Sequence, residues 1–167
     1  MKPTSTFTSL VILILAAIVA TTSTSAAIVP EHGPSAFGAG QFRFPSQSGD
    51  RIEFWRFSFE AIANKNGHTR GRAQFDNLTT QTQVVVRINC LAIFDSIFAV
   101  MSGRVLHSND PNLPKSTIVV FAASDGQVRP VPSVDTITPP FQAFGDCNDG
   151  APLTMLPVED GDIEIQP

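Results

Sequence analysis

The sequence predicts an all-β fold, an antiparallel sandwich or partly closed barrel of about seven to eight strands with one disulfide. Three observations carry that expectation. Short runs of alternating apolar and polar residues recur along the chain, as half-buried strands require. Turn residues such as Asn66-Gly67 and Asp125-Gly126 separate the runs. After residue 27 no stretch of useful length has helical spacing.

Residues 1–27, MKPTSTFTSLVILILAAIVATTSTSAA, read as a secretory signal peptide: a lysine, an apolar run from Leu10 to Ala20, then small residues fit for cleavage. The alternative is a membrane anchor, but the run is shorter than the ~20 residues a span needs. Residues 28–167 are then a single secreted domain. Ile28 to Pro34 is a lead-in. Phe37 to Phe44 is a first strand, and PSQSGD, Pro45 to Asp50, a turn.

Arg51 to Ala63 alternates, with Trp55, Phe57, Phe59, Ala61 and Ala63 on one face and Arg56, Ser58 and Glu60 on the other. Thr69 to Asp76 is its hairpin partner. Matching the apolar faces pairs Phe57 with Phe75, Phe59 with Ala73 and Ala61 with Gly71. That register leaves a three-residue loop ending on Gly67, where such loops need a left-handed residue. It also sets Glu60 opposite Arg72 and Arg56 opposite Asp76.

Gln83 to His107 holds the densest apolar run after the leader and reads as two strands folded at Asp95-Ser96. With Phe94 facing Ile97, one wholly apolar face collects Val84, Val86, Ile88, Cys90, Ala92 and Phe94. The same register puts Arg87 opposite Arg104, an unfavourable pair that acidic neighbours or a bulge would have to relieve. Ser108 to Lys115 is a loop, and Thr117 to Ser124 a strand. A short strand is expected at Val134 to Thr138. Phe141 to Pro152 is an irregular segment, and Gly161 to Gln166 a last strand with Ile163 and Ile165 inward.

A run of pieces resembles post-COAP domains, a group of small exported domains that are largely bacterial and functionally uncharacterised. They are Phe57-x-Phe59-x-Ala61, Gly67 through Gly71, Ala73, Phe75, Cys90-Leu91, Met101-Ser102-Gly103, Ser108-Asn109-Asp110-Pro111, Phe121 with Asp125-Gly126, and Gly161-Asp162-Ile163. The chain departs from that pattern in carrying Asp162 where Asn is usual, and in a shorter turn at Ser124-Asp125-Gly126. The resemblance implies a β domain serving as an add-on module of extracellular proteins, and it implies no catalytic residues.

The chain has 11 basic and 15 acidic residues. Lys2 leaves with the signal, so ten basic residues face fifteen acidic ones, a net charge of −5. That balance argues against nucleic acid and against anionic membrane surfaces as partners, and leaves an unknown extracellular partner. Thirteen Phe, one Trp and no Tyr favour core packing over surface recognition. Two cysteines in an exported chain suggest a Cys90–Cys147 disulfide, with two free thiols the alternative. Asn77-Leu78-Thr79 is a glycosylation sequon that matters only in a eukaryotic source.

Chemistry is harder to find. His32, His68 and His107 have no metal-binding spacing. No nucleophile elbow is present, and Ser102 reads as a packing position. Asp146, Asn148 and Asp149 lie close enough to offer oxygens to calcium, but the run is no EF-hand loop and reads more simply as a solvated acidic turn. Asp135 and Glu60 are the two carboxylates that a glycoside hydrolase reading would use, with nothing to bring them together. The sequence therefore points to a non-catalytic extracellular structural or interaction module without cofactor. The alternative is a small barrel enzyme or carrier with a cavity lined by Trp55, Phe57, Phe59, Phe75 and Phe121, whose bland counterpart is an ordinary packed core.

Overall fold

A computed structural model of the chain describes residues 33–46, 48–126, 133–143, 145–148 and 154–167. The expected signal at 1–27, with His32 and Asp149, lies outside the described residues. The strands are β1 (Ser35–Pro45), β2 (Ile52–Ala63), β3 (Thr69–Asn77), β4 (Thr82–Phe94), β5 (Phe98–Ser108), β6 (Ile118–Ser124), β7 (Thr136–Ile137), β8 (Phe141–Gln142) and β9 (Leu156–Gln166). Eight of them close an antiparallel barrel in the order β1, β2, β3, β4, β5, β6, β7, β9, with β9 returning to β1. The short β8 lies beside β6 as an extra strand. Closure leaves the long strands no free edge. Among the described residues no helix is long and apolar enough to cross a membrane.

The β2–β3 hairpin forms in the expected register, with Phe57 opposite Phe75, Phe59 opposite Ala73 and Ala61 opposite Gly71. Gly67 has φ 77° in the loop, as a left-handed loop position demands. Alternation is strict along β2. Trp55, Phe57, Phe59 and Ala61 turn inward, while Arg56, Ser58 and Glu60 are exposed.

The β4–β5 hairpin departs from the expected register. Its turn takes three residues, Asp95, Ser96 and Ile97, and Phe94 faces Phe98 rather than Ile97. Asp95 and Ser96 both adopt positive φ, 52° and 61°. A bulge at Asn89 then restores the expected pairing for Ile88–Gly103, Arg87–Arg104 and Val86–Val105. One extra residue reverses the facing of everything beyond it. Val84, Val86 and Ile88 point into the core as expected, but past the bulge Leu91 and Ile93 take over the inner face. Cys90 and Ala92 lie on the outer wall instead, and Phe94 is exposed.

That reversal explains the disulfide. Cys90 and Cys147 are bonded at 2.00 Å. They sit in a second apolar layer with Val100, Val120 and Ala122, on the opposite face of the sheet from Met101, Val119 and Phe121. The segment after β8 is thus pinned to the outside of the β4–β5–β6 wall. A disulfide of this kind belongs to an oxidising compartment.

The last strand starts at Leu156, well before Gly161. Gln41 faces Asp160 while Phe42 faces Val158, so Glu159 is an extra residue in β9. Glu159 turns outward to Arg43 at 3.0 Å. Gly161 follows with φ 133°, and a Cβ there would meet the Ala39 carbonyl oxygen at 2.1 Å.

The inner face is a column of rings. Ring centroids lie 6.0 Å apart for Phe42–Phe57, 6.1 Å for Phe57–Phe59, 5.9 Å for Phe59–Phe121 and 5.1 Å for Phe75–Phe121. The two barrel ends differ. At the end carrying the β2–β3 and β4–β5 turns, Asp135 is 7% exposed. Its carboxylate accepts from Gly126 N and Ile163 N, both at 2.8 Å. This ties the β6–β7 connection to β9. The other end, where the β1–β2, β3–β4 and β5–β6 loops gather, stays open.

Candidate functional site

The open end holds a cavity of about 800 Å³. Strand termini supply its floor: Phe44 from β1, Glu53 and Trp55 from β2, Asn77 from β3 and Thr82 from β4. Loop residues supply its wall, chiefly Asp110, Leu113 and the Pro139-Pro140-Phe141 corner. The size falls within the range of small-ligand sites.

Trp55 is part of the floor. Alternation along β2 turns it inward, and it is 8% exposed. Phe42 stacks below it, with ring centroids 6.1 Å apart and planes 12° apart. Among the described residues its Nε1 is the one buried side-chain nitrogen or oxygen without a hydrogen-bond partner. A buried donor left unpaired costs about 1–3 kcal/mol relative to a satisfied one.

The polar residues around it are held in place. Asn77 Nδ2 donates to Glu53 Oε2 at 2.6 Å, and Arg51 lies 3.5 Å from the other Glu53 oxygen. Asn77 Oδ1 accepts from Thr79 N and Thr80 N, which shapes the β3–β4 loop. Asn77 is therefore 3% exposed at the end of a strand, and the nitrogen that would carry a glycan is bonded within the fold. Asn109 ties two rim loops together: its Oδ1 accepts from Gln83 N at 2.6 Å and its Nδ2 donates to Gln81 O at 3.1 Å. Asp110 Oδ1 accepts from Asn112 N at 2.8 Å, closing a turn that presents Leu113 inward. On the β1–β2 loop, hydrogen bonds from Ser48 and Ser46 hold the Asp50 carboxyl below the usual carboxylate range.

Of the five aromatic residues singled out in the sequence, Trp55 lines the mouth, and Phe57, Phe75 and Phe121 are buried in the ring column. Phe59 also borders a shallower groove of about 560 Å³ on the outer wall, where Glu60 and Arg72 are found. Glu60 and Arg72 are register partners, as expected, but no ion pair forms between them. Arg56 and Asp76 do pair, at 2.9 Å. Burial raises the Asp76 carboxyl, but hydrogen bonds from Gln83, Arg56 and Gln74, with the Arg56 charge, outweigh it and hold the group below its usual value.

The remaining candidates stay apart. Asp135 is committed to two backbone amides at the far end, while Glu60 faces solvent on β2. His68 lies in the β2–β3 turn and His107 is exposed near the end of β5; neither lines the mouth. Ser102 is 2% exposed between Cys90 and Val120 in the ladder. Asp146 Oδ1 accepts from Asn148 N at 2.8 Å. Among the described residues no group of three His, Cys, Asp or Glu side chains is placed to hold a metal ion.

Sequence reasoning found Trp55 by its alternation and missed its setting. Phe44 continues the alternation of β1 and was legible on that ground. Leu113 and Phe141 come from irregular segments far from β2, and no local pattern marks them. No family model, curated protein sequence or solved structure matches the chain.

Proposed function

We propose that the chain is a secreted, non-catalytic barrel module that binds a small extracellular ligand at its open mouth. The observation that carries this reading is the cavity of about 800 Å³ at the open end, lined by Trp55 and framed by hydrogen-bonded loops. The rest of the molecule is consistent with a frame for that site. The ring column fills the barrel below it, and the Asp135 contacts hold the opposite end together. The disulfide supports an extracellular setting, as does the leader-like composition of residues 1–27. The resemblance to exported add-on domains fits a binding module and supplies no chemistry of its own.

The non-catalytic part rests on how the polar side chains are spent. Glu53, Asn77 and Asp110 each hold a neighbouring group, and among the described residues no histidine lines the mouth to act as a base. The test is thermal melting in the presence of fractionated small molecules from extracellular fluid, followed together with the emission of Trp55. One fraction is expected to raise the melting temperature and alter the emission in a saturable way. Stabilisation by fractions that leave the emission unchanged would place the binding site elsewhere. Turnover of model esters, glycosides or peptides that survives purification would overturn the non-catalytic reading.

A further inference from the structure

The lining of the mouth combines two chemistries. Phe44, Trp55, Leu113, Pro140 and Phe141 offer rings and rigid apolar edges. Glu53, Thr82, Asp110, Asn112 and Gln142 offer hydrogen-bonding groups on the same cavity. An alkyl chain fits poorly here. It would bury the polar groups without partners, and the Phe42 ring stacked beneath Trp55 bars entry to the barrel. An anion fits poorly too, because Glu53 and Asp110 both line the site and Arg51 is already directed to Glu53. A neutral molecule with flat C–H faces and several hydroxyls uses both chemistries at once. Its C–H faces cover the rings, and its hydroxyls meet the amides and carboxylates.

We infer that the ligand is a neutral saccharide, seated on the rings at the mouth with its hydroxyls on the polar groups of the rim. This rests on the mouth being the binding site, and deepens it by naming the ligand class. The disposition of the loops agrees with it. Asn109 and Asn77 brace the rim through backbone contacts, so a ligand rich in hydroxyls meets donors and acceptors already fixed in position.

The test is a panel of immobilised neutral mono- and oligosaccharides, screened with the full chain purified with its disulfide intact. Hits are then titrated in solution against Trp55 emission. The chain has one Trp and no Tyr, so the emission reports this site alone. Decanol is titrated in parallel as an apolar probe. A saturable emission change with a saccharide is expected, with affinity falling about tenfold in Trp55→Phe, which shrinks the ring at the mouth, as read by calorimetry. Gln142→Ala, a change at an exposed rim residue that leaves the fold intact, is expected to weaken binding severalfold. Response to decanol alone overturns the saccharide and keeps the mouth as a binding site. Response to neither overturns both. A saccharide that binds without changing the emission, and binds Trp55→Phe equally well, occupies another surface and also overturns the inference.

Discussion

Arg87 and Arg104 face each other across β4 and β5, a like-charge pair in the middle of the longest hairpin. Both side chains point outward and are exposed. Arg104 is turned aside, its Nη1 donating to Ser116 O at 2.8 Å. Like charges directly opposite are unfavourable, and opposite charges there stabilise by roughly 0.2–1 kcal/mol. Arg87→Glu is therefore expected to raise the stability by about 0.5 kcal/mol in urea unfolding. A loss of stability would show that Arg87 has a role the ladder does not reveal.

The Asp135 carboxylate closes one barrel end through two backbone amides. Asp135→Ala leaves both N–H groups buried and unpaired, at a cost of about 3 kcal/mol. Asp135→Asn keeps one acceptor oxygen and is expected to cost about half as much. Equal melting temperatures for the two variants would mean that only one of the bonds matters.

The disulfide spans 57 residues and pins the segment after β8 to the outer wall. On the chain-entropy model its removal costs about 4 kcal/mol. Replacing both cysteines with Ala is expected to lower the urea midpoint accordingly. An unchanged midpoint would mean that the outer layer of Val100, Val120 and Ala122 holds that segment alone.

Asp76 gives the fold an acid dependence. Its carboxyl is held below its ordinary value in the folded chain. The group therefore stabilises fully above the ordinary carboxylate range, and that contribution is lost as pH falls through the lowered folded value. Asp76→Asn is expected to be less stable than the parent at neutral pH, with the two curves converging below about pH 4. Melting curves that stay parallel down to the acid limit would remove Asp76 as the source.

How much of this was legible depended on whether local signals agreed. The β2–β3 hairpin was readable because alternation, Gly67 and the facing pair Arg56–Asp76 all specify one register. The β4–β5 hairpin was half readable. Its strands were evident, but a single bulged residue, Asn89, reversed the facing of Cys90, Ala92 and Phe94; the like-charged Arg87–Arg104 pair hinted at a bulge but not at its place, and the bulge leaves that pair facing. The early start of β9 was hidden by Pro157 and by acidic Glu159 and Asp160, residues that read as loop; Glu159 fits only because it is an extra residue turned toward Arg43. The mouth was the least legible part. Trp55, Leu113 and Phe141 meet because barrel closure brings distant loops to one end, a relation that no local pattern encodes.

The most direct test of the mouth as the binding site is the indole N–H resonance of Trp55, the only such signal the chain can give. It is followed in nitrogen-resolved NMR spectra as a ligand is added. A ligand at the mouth shifts that resonance together with the backbone signals of Asn77, Leu113 and Phe141. Shifts confined to the outer wall around Ser58 and Arg72, with the indole resonance unmoved, would contradict it.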